Sequence, residues 1–475
     1  MINLRLSLKL LVLLIFLVNS TVYAQISSNE VDKLVEESMI KFDVAGVAVG
    51  IVKDGKIVHS KGYGVKSIET KDKVNEHTQF AIASNSKAFT TAALSILVDE
   101  GKLSWQDKVK DHIPEFRMYN DYVTENFNIQ DLLTHRSGLG LGAGDLMIFP
   151  DGANFTIKDI LSSFQYFEPV SAFRTKFDYD NLLYFVAGEV IARVSEMSWE
   201  EFVKTRIMEP LKMDNSFSSL TQITDRSNVA TAHSTETGTL KTIAHFEIDP
   251  EKINGAAGMI FSNVDDLCNW MLVHLNKGKY GEKLEKQLFS EANHQEMWKI
   301  HTSLKPNPNP RYNSHFAGYG LGWRLTDVKG NMSVSHTGGL PGMLSRTVLI
   351  PDLNLGVVVL TNTSNGGGGV FSSVTRTIVD SYLGLDNFGW TDKYYERFQN
   401  RQNNADSVTT QVWETVKSAN DDHIKVDDFV GVYEDKWFGK IEVYMNDNQL
   451  WFKSYRSPRL KGPMYYYKAN AFAIK

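Results

Sequence analysis

A serine and a lysine three residues apart, in Ser84-Asn85-Ser86-Lys87, are the strongest candidates for chemistry in this 475-residue chain. The segment before them, Phe80–Ala83, is short and apolar, and Ala88–Leu97 after them reads as a buried helix. Ser84 would open that helix and Lys87 would share its face. A serine hydroxyl is a poor nucleophile until a base takes its proton, and a lysine kept uncharged by desolvation can be that base. The spacing alone is not distinctive. Ser38 and Lys41 repeat it inside Glu30–Phe42, where charged and apolar residues alternate as on an ordinary amphipathic surface helix. What separates the two pairs is their company further along the chain.

Tyr179-Asp180-Asn181 stands just before Leu182–Val194, an apolar helix. A tyrosine can shuttle a proton where positive neighbours stabilise its phenolate, and an asparagine can bind both an amine and a carbonyl. In other settings the same triplet is a helix cap beside a packed aromatic. His336-Thr337-Gly338-Gly339 falls at the end of a strand. Glycines there let a substrate approach the backbone, and a free amide can hold an oxyanion. Without partners it would be a plain glycine-rich turn.

The elements that must position these residues alternate in type. Residues 30–42 read as an amphipathic helix; Ala45–Lys53 and Lys56–Gly64 are β-rich runs joined at Asp54-Gly55, a hairpin signal. From about residue 100 to 320 the pattern is mostly helical, with irregular loops at Gly138–Gly142 and Pro306–Pro310. Strands return at Met332–His336, Leu344–Ile350 and Leu355–Thr361, followed by a helix over Val370–Leu383. An α+β fold accounts for this order: an antiparallel sheet built from both ends of the chain and flanked by helices, with a helical region inserted. Residues 386–425 read as a polar, partly helical linker. Short aromatic strands between Gly431 and Lys468 form a small all-β module over residues 426–475.

Composition narrows the partners. Arg5 and Lys9 precede the apolar run Leu10–Val18, and Val22-Tyr23-Ala24 offers small residues for cleavage, so residues 1–24 read as a signal peptide. That run is too short to span a membrane comfortably. The expected product is exported, periplasmic or secreted, with no stable membrane anchor. The leader is basic, so the formal net charge of −6 becomes −8 once Arg5 and Lys9 are removed, which disfavours nucleic acid as a partner. Cys268 is the only cysteine, so no internal disulfide can form. The histidines are scattered and there is no His-Glu-x-x-His, so neither a metal nor another cofactor is expected. No Gly-x-Ser-x-Gly elbow occurs either, which disfavours an α/β-hydrolase.

The three motifs, in this order and spacing, resemble those of the penicillin-recognising serine hydrolases, nearest to class C β-lactamases, D-alanyl-D-alanine carboxypeptidases and their esterase and D-aminopeptidase relatives. Supporting phrases run through residues 30–385. Leu132-Leu133-Thr134-His135-Arg136-Ser137-Gly138-Leu139 and Tyr319-Gly320-Leu321-Gly322-Trp323 match the family pattern; Pro210-Leu211-Lys212-Met213 and Ala256-Ala257-Gly258-Met259 are near matches. Gly431-Val432-Tyr433-Glu434 resembles the start of a β domain often appended to such hydrolases, although only about fifty residues are present where a fuller barrel is usual. The resemblance implies a hydrolase domain over residues 25–385, with Ser84 as the acyl-accepting nucleophile and Lys87 and Tyr179 as the proton-handling pair. Which of that pair takes the serine proton stays open. It further implies that Asn181, His336, Thr337, Gly338 and Gly339 bind substrate, and that the amides of Ser84 and Gly339 form the oxyanion hole.

One departure affects substrate. The third motif usually opens with a lysine that attracts a substrate carboxylate, and here it is His336. A largely uncharged imidazole weakens that attraction and points to small esters or peptides and amides, cell-wall peptide included, over β-lactam antibiotics. Lowering the pH toward about 6 is then expected to charge His336 and improve carboxylate binding. A class C-like β-lactamase or carboxypeptidase is the alternative within the family. From another class, the alternative is a retired hydrolase that binds peptide or cell wall. The β module, which holds none of the motifs, reads as an accessory.

Overall fold

The computed structural model describes residues 25–236, 238–403, 407–419 and 424–474; the expected signal segment lies outside them. An eight-stranded antiparallel sheet runs through the middle of the main domain. Its order is Lys56–Gly64, Gly46–Lys53, Leu355–Thr361, Met343–Ile350, Asn331–Leu340, Arg324–Val328, Ala317–Tyr319 and Thr302–Leu304. Sequence-distant ends of the chain therefore meet at its centre, where Val49 pairs with Val359. The Asp54-Gly55 hairpin forms as expected, with both residues at positive φ (51° and 76°), which suits a tight two-residue turn.

Both faces of the sheet are covered, and the strand sequences show it. Leu355–Thr361 is buried at every position, as a continuous apolar run must be when helices lie on either side. Side chains alternate between the faces. Val358 and Leu360 enter one core with Val264, Met271 and Phe89. Val357 and Val359 enter the other with Val31, Val35 and Val374. The first core is closed by helices Val264–Leu275 and Ser86–Asp99, the second by Ser28–Phe42 and Gly366–Tyr382.

Helix Ser86–Asp99 is buried on all sides from Ser86 to Leu97. It lies between the sheet and the inserted helical region, whose helix Leu182–Ser195 packs against it. The two motifs that open these helices, Ser84–Lys87 and Tyr179–Asn181, are thereby brought together.

The expected linker is only partly a connector. Its first helix, Trp390–Asn403, is packed on the main domain: Trp390 is buried and donates to Asp380 Oδ2 at 2.7 Å. Phe42 meets the rings of Tyr395 and Phe398 at 5.6 and 5.8 Å. A second helix, Ser407–Ser418, precedes the C-terminal sheet, a five-stranded antiparallel meander from Gly431 to Ile474. This sheet docks on the helical region, where Arg456 forms a two-pronged ion pair with Asp159 at 2.7 Å on each side.

Candidate active site

The turn that carries Ser84 is held in an unfavourable shape by the sheet behind it. Ala83 has φ +49°, a conformation that costs a non-glycine residue about 1 kcal/mol or more. Ser345 Oγ donates to Ile82 O at 2.6 Å and accepts from Asn85 Nδ2 at 2.7 Å, so one hydroxyl grips the turn on both sides of Ala83 and Ser84. Gly338 pairs with Ser345 across the strands. A Cβ at Gly338 would lie 2.0 Å from Ile82 O. Gly338 is thus required by the approach of the turn, not by the approach of a substrate as expected.

Lys87 is completely buried. Its Nζ lies 2.7 Å from Ala257 O, 2.9 Å from Asn181 Oδ1 and 3.2 Å from Ser84 Oγ, and 5.0 Å from the ring centres of both Tyr179 and Tyr184. Desolvation disfavours the ammonium and lowers the Lys87 pKa to about 7, against a smaller upward pull from Asp145 and Asp180. A neutral amine has two N–H donors and a lone pair. The two donors suit the carbonyls of Ala257 and Asn181, which leaves the lone pair for the Ser84 hydroxyl.

Asn181 stands at the N-terminus of the Leu182–Ser195 helix and joins it to a neighbouring loop, with Nδ2 donating to Asp145 at 3.1 and 3.3 Å. Asp180 Oδ1 accepts from Leu182 N at 2.9 Å. Burial, with Asp145 nearby, raises the Asp180 carboxyl to about 8. Tyr179 stacks on His135 with ring centres 4.0 Å apart. Its hydroxyl is buried and lies beside the Ser84 hydroxyl, without a close hydrogen bond among the described residues. Burial raises its pKa, which the Ser84 hydroxyl and the Arg324 charge only partly oppose. The two candidate bases thus move apart, Lys87 down and Tyr179 up.

The strand bearing the third motif outruns its outer neighbour. The last pair between them is Arg324 with Ser335, so residues 336–340 present an unpaired edge. Gly339 and Leu340 line a cavity of about 230 Å³ together with Ser84, Tyr179 and Asn181. Most of the remaining wall is apolar, including Phe149, Phe185, Phe246 and Met259. His336, Thr337 and Gly338 are not part of that wall.

His336 is buried: its Nδ1 donates to Thr337 O at 2.7 Å, and its Nε2 accepts from Tyr319 Oη at 2.9 Å. Burial, with Lys87 and Arg324 adding repulsion, lowers its pKa to about 3. The expectation that His336 gains a proton near pH 6 is therefore corrected; it is neutral throughout the physiological range. Thr337, the next residue, is exposed.

Three residues of the site were not legible as such in the sequence. Asp145 lies in an irregular loop with no motif. His135 stood inside a matched phrase but without a role; it packs under Tyr179 and accepts from Asp180 N at 3.1 Å. Arg324 directly follows the Tyr319–Trp323 phrase. Its guanidinium lies 5.1 Å from the ring centre of Phe177 and 5.9 Å from that of Tyr319, and no hydrogen bond or ion pair engages it among the described residues.

Residues 31–373 match the family model described as Beta-lactamase. Among relatives, the chain is 27% identical over 391 residues to an unguisins hydrolase of Aspergillus campestris (strain IBT 28561), covering 78% of this chain and 69% of that protein. It is 28% identical to the protein flp of Staphylococcus aureus (strain N315), covering 71% of this chain and 63% of the relative. The chain therefore spans about two thirds of the length of these relatives. In fold it is similar to an octameric penicillin-binding protein homologue from Pyrococcus abyssi, with a TM-score of 0.66 at 21% identity, over 94% of each chain. A penicillin-binding protein from Bacillus halodurans superposes with a TM-score of 0.59 at 22% identity, over 72% of this chain and 98% of the other. With the family model covering most of its length, the chain belongs to the β-lactamase family of serine hydrolases.

Proposed function

We propose that this protein hydrolyses small esters or peptides and amides through an acyl-enzyme on Ser84. The observation that carries this reading is Lys87: a wholly buried amine 3.2 Å from the Ser84 hydroxyl, with a pKa near 7. Neutral Lys87 takes the Ser84 proton as Oγ attacks the substrate carbonyl, and the amides of Ser84 and Gly339 hold the resulting oxyanion. Tyr179 keeps its proton and is the donor to the leaving atom; the Lys87 ammonium then restores it. Water attacks the acyl-enzyme by the same route in reverse.

The apolar cavity wall favours an acyl group with apolar substituents over a highly charged one. A second reading, a peptide ending in a carboxylate, is favoured by Arg324: the positive charge absent from His336 is present on a neighbouring strand, unpaired. The retired-hydrolase alternative is disfavoured because Ser84, Lys87, Tyr179 and Asn181 meet in one site. Export through the leader at residues 1–24 belongs to the same proposal, and a mature N-terminus at Gln25 is its check.

The test is intact-mass analysis after exposure to a fluorophosphonate. Wild type should gain one adduct on Ser84, while Ser84→Ala should gain none and lose turnover by at least ~1,000-fold. Ser38→Ala should behave as wild type, since Ser38 is engaged with Thr391 Oγ1 at 3.1 Å, remote from the site. Undiminished turnover in pure Ser84→Ala would remove the assignment.

A further inference from the structure

Two adjoining cavities share Ile148 and Ile248. The first is the one that Ser84, Tyr179 and Asn181 share, about 230 Å³. The second, about 340 Å³, has Ile148 and Ile248 as a common wall with it. Small-molecule sites generally enclose ~300–1,000 Å³. The first cavity alone falls short of that range, and only the two together give room for a substrate of several residues. Their linings differ. Beyond the shared wall, the second cavity presents Asp151, Asn154, Thr221, Glu247, Asp249 and Lys252. These supply both donors and acceptors, as the alternating N–H and C=O groups of a peptide chain require.

The outer wall of the second cavity, residues 151–154, is fixed by the C-terminal sheet. Arg456 donates to both carboxylate oxygens of Asp159 at 2.7 Å and through Nε to Asn154 Oδ1 at 3.1 Å. Its carbonyl accepts from Asn154 N at 2.9 Å, and its guanidinium covers the ring of Phe155 at 4.1 Å. Arg459 pairs with Asp151. Bidentate arginine–carboxylate pairs add geometric specificity to their energy, and Asn154 lies between this pair and the cavity.

We infer that the C-terminal sheet determines substrate length: through Arg456 it holds the wall of a second subsite that takes the peptide continuation of a substrate acylating Ser84. The inference rests on the acyl-enzyme reading above. Arg456 is a positioning residue, because it acts on substrate only through the 151–154 loop.

The experiment compares kcat and KM for nitrophenyl acetate and for nitrophenyl esters of N-acetylated di- and tripeptides, in wild type, Arg456→Ala and Arg456→Lys. Wild type should gain efficiency with peptide length. Arg456→Ala should leave acetate hydrolysis within about twofold and lower kcat/KM for the tripeptide ester about tenfold, mainly through KM. Arg456→Lys should recover part of that loss. Thr221→Trp, which adds bulk to the lining of the second cavity at a residue outside the 151–154 loop, should reproduce the length-dependent loss even if Arg456→Ala fails to fold. Equal effects on acetate and tripeptide esters, or no effect of length in wild type, would overturn the inference. Fluorophosphonate labelling of Ser84, measured on every variant, separates this outcome from failure of the acyl-enzyme reading, which would abolish labelling in wild type.

Discussion

Asp145 reaches Lys87 through Asn181: the amide oxygen of Asn181 accepts from Lys87 Nζ at 2.9 Å while its nitrogen donates to the Asp145 carboxylate at 3.1 Å. The carboxylate is therefore close enough to favour the ammonium without forming an ion pair with it. This arrangement lets the protein place the Lys87 pKa near 7 instead of lower, since Asp145 is the largest upward influence on a group that burial pushes down.

Changing that carboxylate should move the pH profile in a definite direction. The proposed mechanism needs neutral Lys87, so kcat/KM should fall on the acid side with an apparent pKa near 7 in wild type. Asp145→Asn removes the charge that favours the ammonium, so the acid limb should shift to lower pH. Asn181→Asp places a charge directly against Nζ and should shift it to higher pH. Kinetics from pH 5 to 9 on a neutral ester would check both signs, and an unmoved limb in both variants would mean that another group controls it.

Tyr179 and Lys87 are predicted to act as one proton-transfer unit around Ser84. Tyr179→Phe and Lys87→Ala should each cost about 100-fold in kcat, the scale of lost general acid–base assistance. The double variant should cost little more than the worse single one. A loss equal to the product of the two would separate their roles.

Much of this site was legible before the structure, and the reasons are physical. Ser84 and Lys87, and Tyr179 and Asn181, sit in two short motifs that each open a helix whose apolar sequence is plain. The Leu355–Thr361 strand announced itself as an uninterrupted apolar run, and Asp54-Gly55 as a turn. What stayed hidden depends on packing between distant segments. His336 reads as a titratable group until Tyr319 and the strand beside it are seen to bury it. Gly338 reads as room for a substrate until Ile82 is found to occupy that space. Trp390 opens a polar-looking stretch, and only the pocket around Asp380 shows why that helix is anchored.

Arg324 is the group expected to decide between neutral and carboxylate-bearing substrates. A charge-assisted hydrogen bond is worth roughly 1.5–3 kcal/mol, or about 10- to 150-fold. Arg324→Ala should lower kcat/KM for a chromogenic cephalosporin by at least about tenfold, and for a neutral nitrophenyl ester by less than about threefold. His336→Lys should not compensate, because it adds a buried charge beside Lys87 and Arg324 at a residue outside the cavity wall. Equal losses on both substrates would show that Arg324 shapes the site without binding the carboxylate.

The burial that lowers the Lys87 pKa must also cost stability, and this cost has a pH signature. In the unfolded chain the lysine titrates near its ordinary value of 10.5, in the folded one at about 7. Between these values the unfolded chain holds a proton that the folded chain lacks, so this residue's contribution to stability rises with pH across the window. Below pH 7 both states are protonated and the penalty is constant; above 10.5 it is gone. Lys87→Met removes the titration while keeping an unbranched side chain of similar length. Relative to wild type, the variant should be at its greatest advantage near pH 7, and that advantage should shrink by roughly 3–4 kcal/mol as pH approaches 10. The absolute difference also includes the hydrogen bonds lost at Ala257 O and Asn181 Oδ1, acceptors that do not titrate, so the change with pH is the informative quantity. Urea unfolding of both proteins at pH 7, 8, 9 and 10 would measure it. Parallel stability curves would mean that folded Lys87 titrates as an ordinary lysine and that the base for Ser84 must be sought elsewhere.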